Sequence, residues 1–410
     1  MTFPVDVVRQ ALQRVMPQVR EDLVRLVGIR SVSADRAAAA DVRASADEVA
    51  RQLRDAGLPE VQVLAAGGLP AVIARRPAPP GAPTVLLYAH HDVQPVGDRQ
   101  HWTSDPFVAV ERNGRLYGRG AADDKAGVAV HCAALRTLGA LGAMNEGRGV
   151  GVVVVVEGEE EIGSPTLPAL LARHRDELSA DVLVLADSMN WRVGVPALTT
   201  SLRGGMSAVV ELRTADHALH NGLYGGPVPD ALTAMARLLA TLHDDEGNVA
   251  VDGLVRESAD PLDLTDDRFR AEAGVLDGVR LLGTDTLTSR LWTRPALSVV
   301  GIDAPAVDTA GMVLVPAARA KIALRIGSGD DATNARDALV AHLEAHVPWG
   351  AQIKVTTGQP VEPFRASTGG PAHATARSAF ADAWGVAPVE IGVGGRRGHR
   401  IEHNRHRERH

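Results

Sequence analysis

Four short apolar runs dictate the fold class of this chain: Ala71–Ala74, Thr84–Tyr88, Val150–Val156 and Val182–Leu185. Runs with no polar alternation read as strands buried on both faces, and such strands need cover on both sides of their sheet. The segments between them supply it, because Lys125–Leu141 and Thr166–Leu178 repeat apolar residues at helical spacing. Val5–Val27 and Ala37–Ala56 do the same, so two helices open the chain. The expectation is an α/β catalytic domain, with a mixed, mostly parallel sheet sandwiched by helices.

The texture changes near Ser201. The stretch GGMSAVVELRT alternates like a half-exposed strand, and a glycine-rich loop and a helix over Pro229–Leu242 follow it. Further strands are expected at Ala296–Val300, Ala318–Ile326 and Gln352–Thr356, with a helix over Ala332–Val347. Few strands with helices on one face make a smaller α+β domain of ferredoxin-like type. After Pro363 a helix, Pro371–Trp384, and the strand-like VEIGVGG restore the first texture. We therefore read residues 1–201 and 364–395 as one catalytic domain and 202–363 as a lid inserted into it. Two domains also suit 410 residues, more than one hydrophobic core usually fills.

Composition narrows the function classes. Forty-three Lys and Arg against 50 Asp and Glu give a net charge of -7, with no basic stripe before the last residues, so a nucleic-acid partner is not expected. The longest apolar run is far too short to span a bilayer, and the N-terminus is amphipathic and charged without a signal-like apolar core, so we expect no membrane partner and a cytoplasmic protein. The single cysteine, Cys132, lies in an apolar helical segment and reads as a small core residue.

Chemistry is expected where the strands end, since ligands of open α/β sheets bind beyond the carboxyl ends of strands. TVLLY runs into Ala89-His90-His91-Asp92, the valine run ends in Glu157-Gly158-Glu159-Glu160-Glu161, and VLVL ends in Ala186-Asp187. A further acidic pair, Asp123-Asp124, sits in GRGAADDKAG just before a helix. Any one of these is ordinarily solvated surface. Together they offer imidazole and several carboxylates, a donor set suited to zinc or manganese.

The same residues carry a resemblance. HHDVQPV, the W-x-x-DPF pattern at Trp102 to Phe107, GRLYGRGAADDKAG, EGEEEIGSP and the strand ending at Asp187 resemble the dipeptidase, carnosinase and carboxypeptidase G branch of the aminoacylase-type metallopeptidases, over roughly Leu23 to Gly395. The resemblance implies a catalytic domain holding two zinc ions per subunit, with manganese or cobalt as substitutes, and a lid that forms a homodimer. It implies that His90 binds one metal and Asp92 orients its imidazole, that Asp123 bridges both metals through a cis peptide to Asp124, and that Asp187 completes the first site. Glu161 would bind the second metal, and Glu160 would be the general base. In the lid, His220 of ALHNGLYGG would reach the oxyanion, with Asn221 where the family shows serine, and Arg325 of KIALRIGSGDD would clamp a substrate carboxylate. His91, Glu157 and Glu159 are left as supporting neighbours.

The resemblance stops at Gly395. The last fifteen residues hold six Arg and four His, and no Ser-Ile-Pro turn or later histidine ligand is recognisable in this aberrant tail. The second metal, left with Asp123 and Glu161, is expected to bind weakly. The expected activity is hydrolysis of dipeptides or small peptides. N-acyl-amino-acid deacylation on the same scaffold, and a non-catalytic metal-binding or dimerising remnant, are the alternatives.

Overall fold

The computed structural model describes residues 3–145 and 147–394; the expected tail, 396–410, lies outside them. Contacts divide the chain into two units, one running to Met189 and the other starting at Asn190.

The first unit opens with α1 (Val5–Val27) and α2 (Ala39–Asp55). Its strands are β1 (Glu60–Leu64), β2 (Ala71–Arg76), β3 (Thr84–His90), the hairpin strands β4 (Val110–Arg112) and β5 (Arg115–Tyr117), β6 (Gly151–Glu157) and β7 (Val182–Leu185). Helices α3 (Lys125–Ala140) and α4 (Leu167–Arg173) complete it. The main sheet has the order β1-β2-β6-β3-β7, with β6, β3 and β7 parallel and β1, β2 and β6 antiparallel. It is a mixed sheet in an α/β unit, as the apolar runs imply.

β6 is buried along its whole length. Val152, Val154 and Val156 face one core with Leu26, Val49, Leu53, Val128 and Leu135 from the first three helices. Val153 and Val155 face a second core with Ile73, Leu86, Leu167 and Leu170. Each buried valine contributes about 1.5 kcal/mol or more, so a central strand with five of them needs no local propensity argument beyond its β-branched side chains. Cys132 is buried in the first of these cores, and burial pushes its thiol up to about 12, the mark of an inert packing residue.

The three helices are also tied electrostatically. Asp22 of α1, only 1% exposed, meets Arg51 of α2 at 2.8 Å and Arg136 of α3 at 2.6 Å, and Arg25 of its own helix.

The second unit contains β8 (Ala197–Leu202), β9 (Gly204–Arg213), β10 (Leu219–His220), α5 (Asn221–Tyr224), α6 (Ala231–Ala240), α7 (Asp266–Ala273), α8 (Leu287–Trp292), β11 (Ala296–Asp303), β12 (Val313–Leu314), β13 (Ala317–Ile326), α9 (Ala332–Ala345), β14 (Gln352–Thr357), β15 (Phe364–Arg365), α10 (Pro371–Trp384) and β16 (Val389–Val393). Its four-stranded sheet runs β11-β13-β9-β14 with every neighbour antiparallel, and β9-α6-β11-β13-α9-β14 is a ferredoxin-like βαββαβ order. Strand alternation sends Met206, Ala208, Val210 and Leu212 of β9 into one core with Ile322 and Leu324 of β13, Met235 and Leu238 of α6 and Leu339 and Leu343 of α9. Both helices start on an aspartate cap, Asp230 accepting from Thr233 N–H at 2.9 Å and Asp331 from Asn334 N–H at 2.8 Å, each worth about 1 kcal/mol.

β8 pairs with β15 and, in parallel, with β16 in a separate three-stranded sheet. The segment after Pro363 thus pairs with the strand that ends at Leu202, and both lie in the second unit. Among the described residues no helix is long and apolar enough to cross a membrane.

Candidate active site

β3, α3 and the turn after β6 bring the acidic motifs together around His90. His90 ends β3, level in register with Glu157 at the end of β6. Its ring is fully buried. On one side Nδ1 lies 3.1 Å from the Asp92 carbonyl oxygen and 3.3 Å from Asp92 Oδ1, so this nitrogen carries the proton and donates it. On the other side Nε2 faces carboxylate oxygens of Asp123 at 3.2 Å, Glu160 at 3.8 Å and Asp187 at 3.9 Å, yet makes no hydrogen bond. Burial alone would lower the imidazole pKa, but Asp123 and Asp92 outweigh it and hold it well above its ordinary value.

Asp92 does more than face His90. Its fully buried carboxylate accepts the backbone N–H of Glu160 at 3.2 Å through Oδ1 and that of Glu161 at 3.1 Å through Oδ2. These N–H groups open the short 3₁₀ turn Glu160–Ile162, which leaves β6 and lets adjacent glutamates escape strand alternation. Burial raises the Asp92 pKa, and the hydrogen bond and charge of His90 bring it below the usual carboxylate value.

The peptide between Asp123 and Asp124 is cis. Asp124 is the N-cap of α3, accepting from Gly127 N–H at 3.2 Å, and its other oxygen accepts the His90 N–H at 3.1 Å. It therefore ties β3 to α3 and leaves Asp123 beside the imidazole. Burial pushes Asp124 up to about 7, opposed by His90 and reinforced by Asp187.

Two donor sets share the histidine: His90, Glu160 and Asp187, and His90, Asp123 and Glu161, each with ligand atoms within 4.8 Å of one another. Nε2 points at groups that are themselves acceptors, so it needs positive charge there: a proton, which the raised pKa of the ring favours, or a divalent ion bound through its lone pair in place of that proton. A histidine whose far nitrogen is held by a carboxylate is also the usual partner of a metal. The residues present fit a divalent ion.

His90, Asp92, Asp123, Glu160, Glu161 and Asp187 all belong to this cluster. His220 and Arg325 belong to the second unit. His220 is exposed at the end of β10, opposite Val313. Arg325 is exposed on β13, opposite Gly205 of β9.

The supporting neighbours have specific partners. His91 donates from Nε2 to the Pro70 carbonyl at 2.9 Å, and burial pulls its pKa down to about 4. Glu157 accepts the hydroxyls of Tyr88 and Ser164, the latter at 3.0 Å, and burial pushes it up to about 6. Glu159 accepts Leu69 N–H at 2.8 Å and the Thr166 hydroxyl at 2.6 Å, anchoring the turn before α4.

Sequence reasoning missed two further contributors. Gln94, four residues after His90 in HHDVQPV, donates to Glu161 Oε2 at 2.8 Å and to its carbonyl at 3.1 Å. Lys125, directly after the acidic pair, is fully buried and donates to the carbonyls of Leu26 at 2.7 Å and Ile29 at 2.8 Å, with burial lowering its pKa to about 7. Both stand inside the quoted motifs, and that position was the available signal.

Residues 86–403 match the family described as Peptidase family M20/M25/M40. A cysteinylglycine-S-conjugate dipeptidase of Corynebacterium striatum is 37% identical over 321 residues, covering 77% of this chain and 69% of that protein. A β-Ala-His dipeptidase of Rattus norvegicus is 28% identical over 393 residues, covering 92% of this chain and 77% of its own length. The crystal structure of human carnosine dipeptidase 1 has the same fold, with a TM-score of 0.75 at 24% identity across 96% of this chain and 88% of that one. The matched segment contains the whole cluster around His90 and well over half of the sequence, and on that ground the chain belongs to peptidase family M20/M25/M40.

Proposed function

We propose that this protein is a dipeptidase-type metallopeptidase that hydrolyses the amide bond of dipeptides or small peptides with a metal-activated water. One observation carries the reading: a buried imidazole nitrogen without a hydrogen bond, aimed at carboxylates from the start of α3 and from beyond the end of β7. The relatives named for cysteinylglycine conjugates and β-Ala-His support the substrate class. Zinc is the proposed ion, because imidazole with carboxylates is a borderline donor set, and manganese or cobalt would also suit it.

In this proposal His90, Asp123 and Asp187 hold one ion, and Asp123 and Glu161 the second. Divalent ions held there would supply Lewis acidity, which lowers the pKa of a water and stabilises negative charge on the substrate carbonyl oxygen. Glu160 takes the water's proton and passes it to the leaving amine, so that its carboxylate ends each cycle ionised again. Asp92 keeps the base and the His90 ring in place through the hydrogen bonds described above. His220 donates a hydrogen bond to the carbonyl oxygen, and Arg325 receives the substrate carboxylate as a charge-assisted pair.

We further propose a cytoplasmic homodimer formed through a lid of residues 202–363, the insert lying between β8 and its partners β15 and β16. The edge strand β11 supports this, with Val299, Val300 and Ile302 each about half exposed. An exposed apolar edge strand invites pairing with a second copy. Sedimentation of micromolar protein should give a dimer, and a monomer at every concentration would exclude it.

The activity test is release of amino acid from a panel of dipeptides and N-acyl amino acids, with zinc, manganese or cobalt added. Dipeptide turnover is expected. Metal binding without release would identify a non-catalytic remnant, and turnover confined to the N-acyl amino acids would identify a deacylase.

A further inference from the structure

Gln94 is the first residue past the buried stretch His90-His91-Asp92-Val93, and its amide is spent on one residue. Nε2 donates to Glu161 Oε2 at 2.8 Å and to the Glu161 carbonyl at 3.1 Å. An amide nitrogen carries two hydrogens, so both contacts form together. Asp92 already accepts the Glu161 N–H at 3.1 Å. Glu161 is thus gripped at its N–H, its carbonyl and its carboxylate by two residues of the loop that follows β3.

Gln94 itself is exposed, and an exposed side chain holds a partner firmly when its own backbone is fixed. Here it is fixed from both sides. Val93, fully buried, bonds the Ser31 carbonyl through its N–H at 2.9 Å. Pro95 restricts residue 94 to extended conformations, and the Pro95 carbonyl accepts Arg119 Nη2 at 3.0 Å. The next carbonyl, that of Val96, accepts Trp102 Nε1 at 2.8 Å, and the Arg119 guanidinium lies over the Trp102 ring, 5.3 Å from its centre. Neither Trp102 nor Arg119 has a task in the proposed chemistry, though both stand in motifs that carry the family resemblance.

A carboxylate whose turn and rotamer are set in advance loses little side-chain freedom when it takes up an ion. We propose that Gln94 is a positioning residue for Glu161, itself held in place by Trp102 and Arg119, and that it sets the affinity of the second ion. This rests on the reading of Glu161 as a ligand of that ion and not of the first. Outer partners of metal ligands are worth about tenfold to a hundredfold in affinity. Water competes for the hydrogen bonds of an exposed amide, so the effect here falls at the low end, about tenfold.

Zinc binding, read without turnover, tests this. Stepwise zinc dissociation constants of the full-length protein would be measured by competition against a chromophoric chelator for the wild type, Gln94→Met, Gln94→Asn, Trp102→Phe and Glu161→Gln, with thermal melts of the chelated forms. Gln94→Met fills the same space without donors. It should weaken the second ion about tenfold, keep the first within about twofold and leave the melt unchanged. Gln94→Asn, one methylene shorter, cannot span both contacts and should fall between. Trp102→Phe should give a smaller loss, again at the second ion alone. An equal change at both ions, or a change in the melt alone, marks a general structural role and overturns the proposal. Loss of the second ion in Glu161→Gln with a wild-type pattern in Gln94→Met overturns the role of Gln94 and leaves Glu161 standing. A wild type that takes up a single ion, or a Glu161→Gln that still holds both, overturns the reading of Glu161 and the proposal with it. If Gln94→Met does not fold, Gln94→Asn decides by the same criteria.

Discussion

Replacing Asp92 by asparagine should loosen both halves of the metal cluster at once. The carboxylate is fully buried, and its oxygens accept the Glu160 N–H at 3.2 Å and the Glu161 N–H at 3.1 Å while facing His90 Nδ1 at 3.3 Å. An amide has one oxygen, so in either orientation its NH₂ group opposes a backbone N–H. One hydrogen bond to a charged acceptor is lost, about 1.5–3 kcal/mol, and a buried donor is orphaned, about 1–3 kcal/mol. Relief of the buried charge returns part of this, leaving a destabilisation of about 3 kcal/mol in the metal-free protein. Metal affinity should fall about tenfold to a hundredfold, since the imidazole loses its anionic partner and the turn carrying Glu160 and Glu161 loses its anchor. Urea unfolding of the chelated protein and competition against a chromophoric chelator read the two effects. A variant within about twofold of the wild type in metal affinity and within about 0.5 kcal/mol in stability would refute the view that Asp92 holds this site together.

Two further outcomes follow from other parts of the molecule. Glu160→Gln should retain bound metal while dipeptide turnover falls about a hundredfold or more, measured by amino-acid release and metal analysis on the same samples; undiminished turnover would exclude Glu160 as the base. Asp22→Asn should cost about 3 kcal/mol at neutral pH, the low end for a broken buried pair, because Arg25 and Arg51 are partly exposed and screened. Burial raises the Asp22 pKa, but the hydrogen bonds of Arg51 and Arg136 outweigh it and hold the value below 3.8. The stability this carboxylate contributes is therefore fully present above about pH 4 and is lost as pH falls through the lowered folded value. The deficit of the variant should shrink below about pH 4, and a deficit independent of pH would show that packing rather than charge is responsible.

Much of the fold can be read from the chain because a strand buried on both faces leaves an unbroken apolar run. β2, β3 and β6 were visible for that reason, as were α1 and α2 by their helical spacing, whereas β7, read from the same kind of run, is an edge strand with Val184 and Leu185 exposed. The alternation in β9 and β13 likewise identified a one-sided sheet. β1, of five residues, and β8, of six, escaped notice despite their length; the other strands missed, β4, β5, β10, β12 and β15, have two or three residues each, too few to display a period. They exist because a neighbouring backbone offers hydrogen bonds, not because their side chains require a strand. β8, Ala-Leu-Thr-Thr-Ser-Leu, has polar residues where a core strand would be apolar, and it is extended because β15 and β16 flank it.

At the site the division is similar. The sequence alone determined that His90, the glutamates after Glu157 and Asp187 stand where strands end, because those three motifs follow directly on apolar runs and cannot lie far from their ends, and that Asp123-Asp124 opens a helix. Which nitrogen of His90 is left without a hydrogen bond, and that Asp92 grips the backbone of Glu160 and Glu161, was decided only when β3 and β6 came into register. The same holds for Glu159, spent on Leu69 and Thr166, and for Lys125, spent on the carbonyls near the end of α1. Residue type and strand position are local properties, carried by neighbours a few residues away. Hydrogen-bond partners 60 to 100 positions apart, as for Asp92 with Glu160 and Lys125 with Leu26, depend on how packed elements align, and no local pattern in the chain records that.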